Sequence, residues 1–240
     1  MQGFSSPIAD SAAGSELLAG NAEALSHRAL ALSPDLTFPY DSRPANVAVK
    51  RALDFTLSLL MLCSLCPLMA AAAIAIRLGG SGPVFYLSER VGRSGRIFLC
   101  YKFRTMVVDA ELLQNELRVR NERDEILFKV TEDPRVTRVG RFLRKYSVDE
   151  LPQLLNVLRG EMSLVGPRPC TPDQVRFYGA AFYDYCIVRP GITGLWQVSG
   201  RNRLSYAERV RLDAEYIRTW SLQLDIRIFC RTVAVVCSGQ

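Results

Sequence analysis

The stretch Lys50-Arg51-Ala52-Leu53-Asp54 opens onto FTLSLLMLCSLCPLMAAAAIAI, residues 55–76, and closes on Arg77-Leu78-Gly79-Gly80. The 22 uncharged residues are long enough, at about 1.5 Å per residue, to cross a hydrocarbon core of about 30 Å. Pro67 interrupts that reading, because it removes a backbone hydrogen bond and crowds the preceding turn. Residues 55–66 and 68–76, on either side of it, are each too short to span. Two topologies compete. One is a kinked single-pass helix, since proline is tolerated in membrane helices. The other is a helix–break–helix that enters one leaflet and returns by the same face. Charge favours the second: Lys50 and Arg51 stand before the segment, and Arg77, Arg90, Arg93, Arg96 and Lys102 stand after it. The preference of Lys and Arg for the cytoplasmic side places both ends there. Asp54, at the mouth, is expected to pair with Arg51 or with a lipid-side cation. The residues downstream of this segment are therefore expected to do their chemistry at a membrane surface.

Working outward, residues 1–45 hold five acids against two bases, so the basic excess of a chain with net charge +6 lies downstream. That excess implies an anionic partner: phospholipid heads, a phosphorylated substrate or nucleic acid. The tail is rich in Ala, Ser and Pro and has no basic start leading to a hydrophobic core, so it reads as disordered and not as a signal peptide. Three segments result: residues 1–45 as the acidic tail, 46–80 as the membrane helix and 81–240 as a domain on the membrane face. Seven cysteines lie scattered in apolar surroundings, as expected of reduced core residues. Cys63 and Cys66 have redox-like spacing but lie inside the apolar run. His27, in the tail, is the one histidine, which leaves the folded region without a His-based triad.

Past Gly80, residues 84–91 and 96–103 read as two strands joined through Gly92-Arg93-Ser94-Gly95. A charged helical pattern covers 109–130 until Pro134 breaks it, and a second helix covers 138–145. Ser147 with Glu150 has the spacing of a capping box, opening a helix through Leu158. Residues 163–169 read as a rigid loop, 173–188 as helical and 193–202 as a loop. Ser205 with Glu208 forms another capping box before a helix at 206–219, and a last apolar helix spans 224–236 with Arg227 and Arg231 on one side. The fold class is α+β: mostly helical, with a small β-hairpin and amphipathic helices lying along the bilayer.

Lys102 and Arg104 lie two apart and so share one face of a strand, with Asp109 and Glu111 just beyond. Cations beside carboxylates suit a phosphate site, where the cations hold anionic oxygens while the carboxylates attack or bind a metal. A solvated edge strand meeting an acidic helix start has the same composition. Asp149 and Glu150 are the rival carboxylates, accounted for by capping. Arg168, between Pro167 and Pro169, presents a guanidinium stiffly enough for bidentate phosphate binding. Arg201, in a Gly-Arg-Asn loop, is a weaker version. Trp196 serves equally as core, interfacial anchor or stacking platform.

Four motifs in order, Lys102-Phe103-Arg104-Thr105-Met106, Asp149-Glu150-Leu151-Pro152-Gln153, Val165-Gly166-Pro167-Arg168-Pro169 and 193–202 (TGLWQVSGRN), resemble those of the monotopic phosphoglycosyl transferases. These bacterial sugar transferases open the assembly of exopolysaccharide, O-antigen or capsule. The resemblance runs from about Asn46 to the C-terminus. It implies transfer of a sugar 1-phosphate from a UDP-sugar to undecaprenyl phosphate with release of UMP. It also implies a re-entrant helix at the inner membrane, with the catalytic domain on the cytoplasmic face among phospholipids. The implied chemistry is ping-pong through a covalent intermediate on Asp109, with Mg²⁺ held by Asp109 and Glu111. Arg90, Lys102, Arg104, Arg168 and Arg201 become substrate-binding, and Lys50, Arg51, Asp54 and Pro67 membrane or structural residues. The implied partners include no nucleic acid, and a homodimer is one assembly the chain could form. Three departures stand out. Cys66 precedes Pro67 where the family has Ser, Ser88 stands where Gln is common, and Ala110 separates two acids that are adjacent in short members. The rivals are one-step transfer without an intermediate and a membrane-anchored polyanion-binding module.

Overall fold

The computed structural model describes residues 40, 42–110, 112–113 and 133–237. Helix α1, Pro44–Leu78, is 35 residues long and begins with its proline in the first turn, where a missing N–H costs nothing. Among the described residues it is the one helix long and apolar enough to cross a membrane. Pro67 lies inside it, and the helix continues on both sides rather than ending as two. In apolar surroundings a helix that forgoes one hydrogen bond leaves fewer polar groups unpaired than an open break would.

The buried positions of α1 fall in two sets, Lys50, Asp54 and Ser58 before the proline and Ala72 and Ile76 after it. Each set repeats at four residues and so forms one stripe. The first half adds Val47, Met61 and Leu62 to a core built on Leu154, Val157, Met162, Tyr216, Ile217, Trp220 and Ile228. The second half packs Ala72 and Ile76 on Phe103, Leu143 and Val148. Both halves rest on the same body.

The polar residues at the start of α1 face that body, as the structural one of their two expected roles requires. Lys50 Nζ lies 2.7 Å from Asp225 Oδ2 and donates to the Val165 carbonyl at 3.0 Å. Asp54 pairs with Lys50 at 3.9 Å, not with Arg51, and accepts from Ser163 Oγ at 2.8 Å and from the Leu164 N–H at 3.0 Å. Arg51 instead donates to the carbonyls of Val157 and Leu158 at 2.6 and 3.0 Å, at the C-terminal end of helix α3 (Leu154–Arg159), where a cation complements the helix dipole. Buried charges tied in this way make the position of α1 specific, because removing one partner strands the other.

Strand β1, Phe85–Val91, pairs antiparallel with β2, Ile97–Phe103, in a register running from Phe85↔Phe103 to Val91↔Ile97. The connection turns at Ser94 and Gly95, with φ of 59° and 73°, as the expected hairpin requires. Helix α2 is Arg138–Lys145, capped by Thr137 Oγ1 accepting from the Gly140 N–H. A 3₁₀ turn, Val148–Gln153, leads into α3. The segment read as a loop after Gly160 contains β3, Ser163–Val165, parallel to β4, Gly191–Thr193. These strands approach so closely that a Cβ on Gly191 would lie 2.1 Å from the Gly166 nitrogen.

The aromatic stretch expected as one helix is two, α4 at Val175–Tyr178 and α5 at Ala181–Ile187. Helix α6, Leu195–Ser199, forms where a loop was expected. Helix α7, Tyr206–Arg218, has the expected capping box of Ser205 and Glu208, and α8 is Leu222–Cys237. Tyr40, within the stretch expected as tail, is buried edge-on to Trp220 at 4.9 Å; the rest of that stretch up to residue 39 lies outside the described residues. So does most of the helix expected over 109–130, of which the described residues 109, 110, 112 and 113 lie in turns.

Candidate active site

Alternation along β2 puts Phe98, Cys100 and Lys102 on one face of the hairpin, opposite Arg90, Ser88 and Tyr86 of β1. Arg90 is held by Ser88 Oγ at 3.1 Å and reaches across to the Pro169 carbonyl at 3.1 Å. Lys102 Nζ donates to Glu150 Oε1 at 2.8 Å, and Arg168 Nη2 donates to the same oxygen at 2.8 Å. Lys102 and Arg168 thus share one carboxylate, leaving net positive charge held in a fixed array. Asn156, fully buried, fixes the outer edge of β2: its Oδ1 accepts from the Tyr101 N–H and its Nδ2 donates to the Leu99 carbonyl.

The capping role expected for Glu150 is not what the chain adopts. Ser147 is left-handed, with φ 55°, and makes no side-chain cap. The carboxylate of Glu150 goes to the two cations instead, since a charge-assisted pair outweighs a neutral cap. Burial alone would raise the Glu150 carboxyl, but Arg168 and Lys102 hold it well below the usual range. Asp149 behaves oppositely: burial, and then the Glu150 charge, push it up to about 6. Arg144, which sequence reasoning passed over, is among the cations that restrain this rise, and its Nε donates to Thr105 Oγ1 at 2.9 Å. In sequence it cannot be told from its neighbours Arg141 and Lys145.

The raised Asp149 carboxyl fixes the sign of one substitution. An acid raised from 3.8 to about 6 on folding favours the folded state while protonated, and that advantage is lost as pH rises through 6. Asp149→Asn removes the ionisation penalty and should stabilise the protein by about 1–3 kcal/mol above pH 7. The gain should shrink between pH 6 and 4 and vanish below that. Melting temperatures across this range check it; a loss of stability at pH 8 would restore the capping account.

Arg104 is not part of the Glu150 array. Strand β2 ends at Phe103, so the shared face expected for Lys102 and Arg104 does not extend that far. The Arg104 guanidinium donates to the carbonyls of Ser81 and Gly80 at 2.5 and 3.2 Å, just past the C-terminus of α1. There it lines a cleft of about 180 Å³ with Ile76, Gly79, Met106, Val108 and Thr137. Asp109 adjoins this cleft in sequence, is exposed, and sits in the Val108–Ala110 turn with φ 63°. Glu111 lies outside the described residues. Arg201 occupies the loop after α6, where its carbonyl accepts from Arg209 at 3.3 Å and Arg209 stacks over Trp196 at 4.4 Å.

Of the two carboxylates expected to hold Mg²⁺, Asp109 is exposed and Glu111 lies outside the described residues. Mg²⁺ is ordinarily held by one or two carboxylates, waters and substrate phosphates, and Asp109 presents an exposed carboxylate. Among the described residues no group of three or more His, Cys, Asp or Glu gathers into an all-protein cage.

A family model described as bacterial sugar transferase matches residues 45–239. The exopolysaccharide production protein ExoY of Sinorhizobium fredii is 44% identical over 199 residues, covering 81% of this chain and 88% of that protein. The undecaprenyl-phosphate galactose phosphotransferase of Salmonella typhimurium is 47% identical over 193 residues, 78% of this chain but 40% of the relative. The undecaprenyl-phosphate glucose phosphotransferase of Komagataeibacter xylinus is 45% identical over 196 residues, 77% of this chain and 35% of the relative. The chain therefore spans most of the first relative and well under half of the other two.

Proposed function

The chain belongs to the bacterial sugar transferase family, and from that premise we propose that it transfers a sugar 1-phosphate from a UDP-sugar to undecaprenyl phosphate, releasing UMP. Transfer onto this carrier would open the assembly of an exopolysaccharide, O-antigen or capsule. The observation that carries this reading is the convergence of Lys102 and Arg168 on one Glu150 oxygen, with Arg90 anchored beside them on Pro169. Such an array holds a diphosphate without reorganising, and phosphoryl transfer depends mainly on positioning and charge stabilisation. A polyanion-binding module would call for bases interleaved with exposed aromatics; here the bases are paired with a carboxylate.

Asp109 is the nucleophile in this reading. Its carboxylate oxygen forms a bond to the sugar-bearing phosphorus, the bond to the UMP oxygen breaks, and UMP leaves. An oxygen of the lipid phosphate then takes the phosphosugar, breaking the Asp109 acyl phosphate. A carboxylate is nucleophilic at neutral pH without a general base, which suits a folded region whose chain has its one histidine at position 27. Mg²⁺, with Asp109 and Glu111 as its protein ligands, would neutralise charge on the diphosphate when bound. Release of UMP from UDP-galactose or UDP-glucose beyond one per active site, dependent on undecaprenyl phosphate and Mg²⁺, tests the reaction. No release with either donor, nor with a wider UDP-sugar panel, would reject it.

We assign α1 to the cytoplasmic leaflet of the inner membrane as a re-entrant helix. The support is that its residues on both sides of Pro67 pack on the same body, which a straight span would carry to opposite faces. Cysteines replacing Ser42 and Arg96, on the two flanks, should both resist an impermeant reagent added outside intact cells. Labelling of Ser42→Cys alone would show a spanning helix. Pro67→Leu should shift the balance toward spanning, because the helix regains the backbone hydrogen bond that proline removes.

A further inference from the structure

We propose that Tyr185 is a positioning residue for the phosphate-binding cations: its hydroxyl sets the spacing between Arg90 and Arg168. The inference rests on the reading of these two arginines as binders of the donor diphosphate. Arg90 directly precedes Val91 at the end of β1, and Arg168 lies two residues before Cys170. The Val91 N–H donates to the Cys170 carbonyl at 3.0 Å. In an antiparallel pair the return bond would run from the Cys170 N–H to the Val91 carbonyl. Here the Tyr185 hydroxyl stands between them, accepting from the Cys170 N–H at 3.3 Å and donating to the Val91 carbonyl at 2.5 Å. A hydroxyl serves both at once, having one proton and two lone pairs. Two hydrogen bonds in series hold their ends farther apart than one, so this insertion fixes how far the loop at 167–170 stands from β1.

That distance governs a repulsion. Glu150 ties Arg168 to Lys102, while Arg90 joins the group through the Pro169 carbonyl at 3.1 Å. Burial, and then the Arg168 charge, push the Arg90 guanidinium down, so the backbone has to hold two like charges near each other. Tyr185 is itself fixed: it is 1% exposed on α5, with its ring stacked on Phe182 at 5.9 Å and edge-on to Tyr178 at 5.2 Å. Burial keeps its hydroxyl well above the usual phenol range, so the proton given to Val91 stays in place. Val91 and Cys170 are buried as well. Without the hydroxyl their carbonyl and N–H either close on each other or stay buried and unpaired. Both outcomes change the spacing of Arg90 and Arg168, and a misplacement of about 1 Å in such a site costs about 100-fold in rate.

The test uses the full chain in nanodiscs with undecaprenyl phosphate as acceptor and UDP-galactose and UDP-glucose as probe donors, following UMP release. Tyr185→Phe keeps the ring and its aromatic contacts and removes the bridge alone. It should lower kcat by about 5- to 50-fold while donor KM stays within about twofold. In an Arg168→Lys background the same change should cost less than about twofold, because residues that act through one another are not additive. Tyr185→Met, an unbranched filler without the hydroxyl, carries the test if Tyr185→Phe does not fold. A wild-type kcat in a folded variant, or a loss that multiplies in full with that of Arg168→Lys, overturns the inference alone. So does a lowered melting temperature with an unchanged rate per folded molecule, the mark of a residue needed only for folding. Near-full turnover in Arg168→Lys by itself removes the phosphate-clamp reading, and this inference with it.

Discussion

Asp109→Asn is expected to abolish both the covalent intermediate and turnover. Given UDP-sugar and Mg²⁺ without lipid acceptor, the wild-type protein should release UMP in a burst limited to about one per active site. The accompanying mass increase should be that of a phosphosugar, mapped to Asp109 as an acyl phosphate. Asparagine keeps the shape of the turn and tolerates its left-handed backbone, so the fold should survive. On the proposed mechanism the variant loses the anionic oxygen that would bond to phosphorus, and steady-state turnover should fall by about 10⁴-fold or more, as when other covalent nucleophiles are removed. Two outcomes would redirect the mechanism. An adduct on Asp149 would move the chemistry to the buried pair. Normal turnover with lipid and no burst without it would mean direct attack by the lipid phosphate.

How much of this was legible depends on how local each determinant is. The hairpin could be read because alternation and Gly92 to Gly95 lie within about 20 residues, and the structure starts its strands at Phe85 and Ile97, one residue inside the expected starts. Helix α2 and the Ser205–Glu208 box were legible for the same reason. The pairing of β3 with β4 was not, because strands of three residues are too short to show a period and β3 is buried throughout. Nor was the fate of Lys50, whose partner Asp225 lies 175 residues away. Flanking charge made it look like a topology signal, whereas burial makes it a docking residue. Glu150 is the instructive case at the site. Its spacing from Ser147 satisfied a local rule, and only the tertiary approach of Lys102 and Arg168 shows which interaction won. Single residues such as Lys102 and Arg168 stand out in the sequence by charge and by their neighbours, but their grouping was not readable. Arg104 illustrates this by leaving Lys102 at the strand end for the carbonyls beside α1.

Arg168→Lys should leave stability nearly unchanged while lowering turnover by roughly 30- to 1000-fold, the cost of about 2–4 kcal/mol in the transition state. The two effects separate because the loop carrying Arg168 is held by its backbone. The Gly166 N–H donates to the Thr193 carbonyl at 2.9 Å, the Pro167 carbonyl accepts from Gly191 at 2.7 Å, and the Cys170 carbonyl accepts from Val91 at 3.0 Å. Arg90 holds the Pro169 carbonyl as well. None of these contacts uses the Arg168 side chain, so lysine enters the same loop. Glu150 also keeps its Lys102 partner, and no buried carboxylate is stranded. What lysine lacks is the planar fork: a guanidinium can give one edge to Glu150 and another to a phosphate oxygen, whereas an ammonium is a single point of charge. If the contact strengthens as charge builds on the leaving diphosphate, the loss should fall on kcat and kcat/KM together, with donor KM little changed. A rise in KM alone would make Arg168 a ground-state anchor. Near-full turnover with lysine would mean that the prolines and the backbone contacts do the work at this position and the guanidinium none.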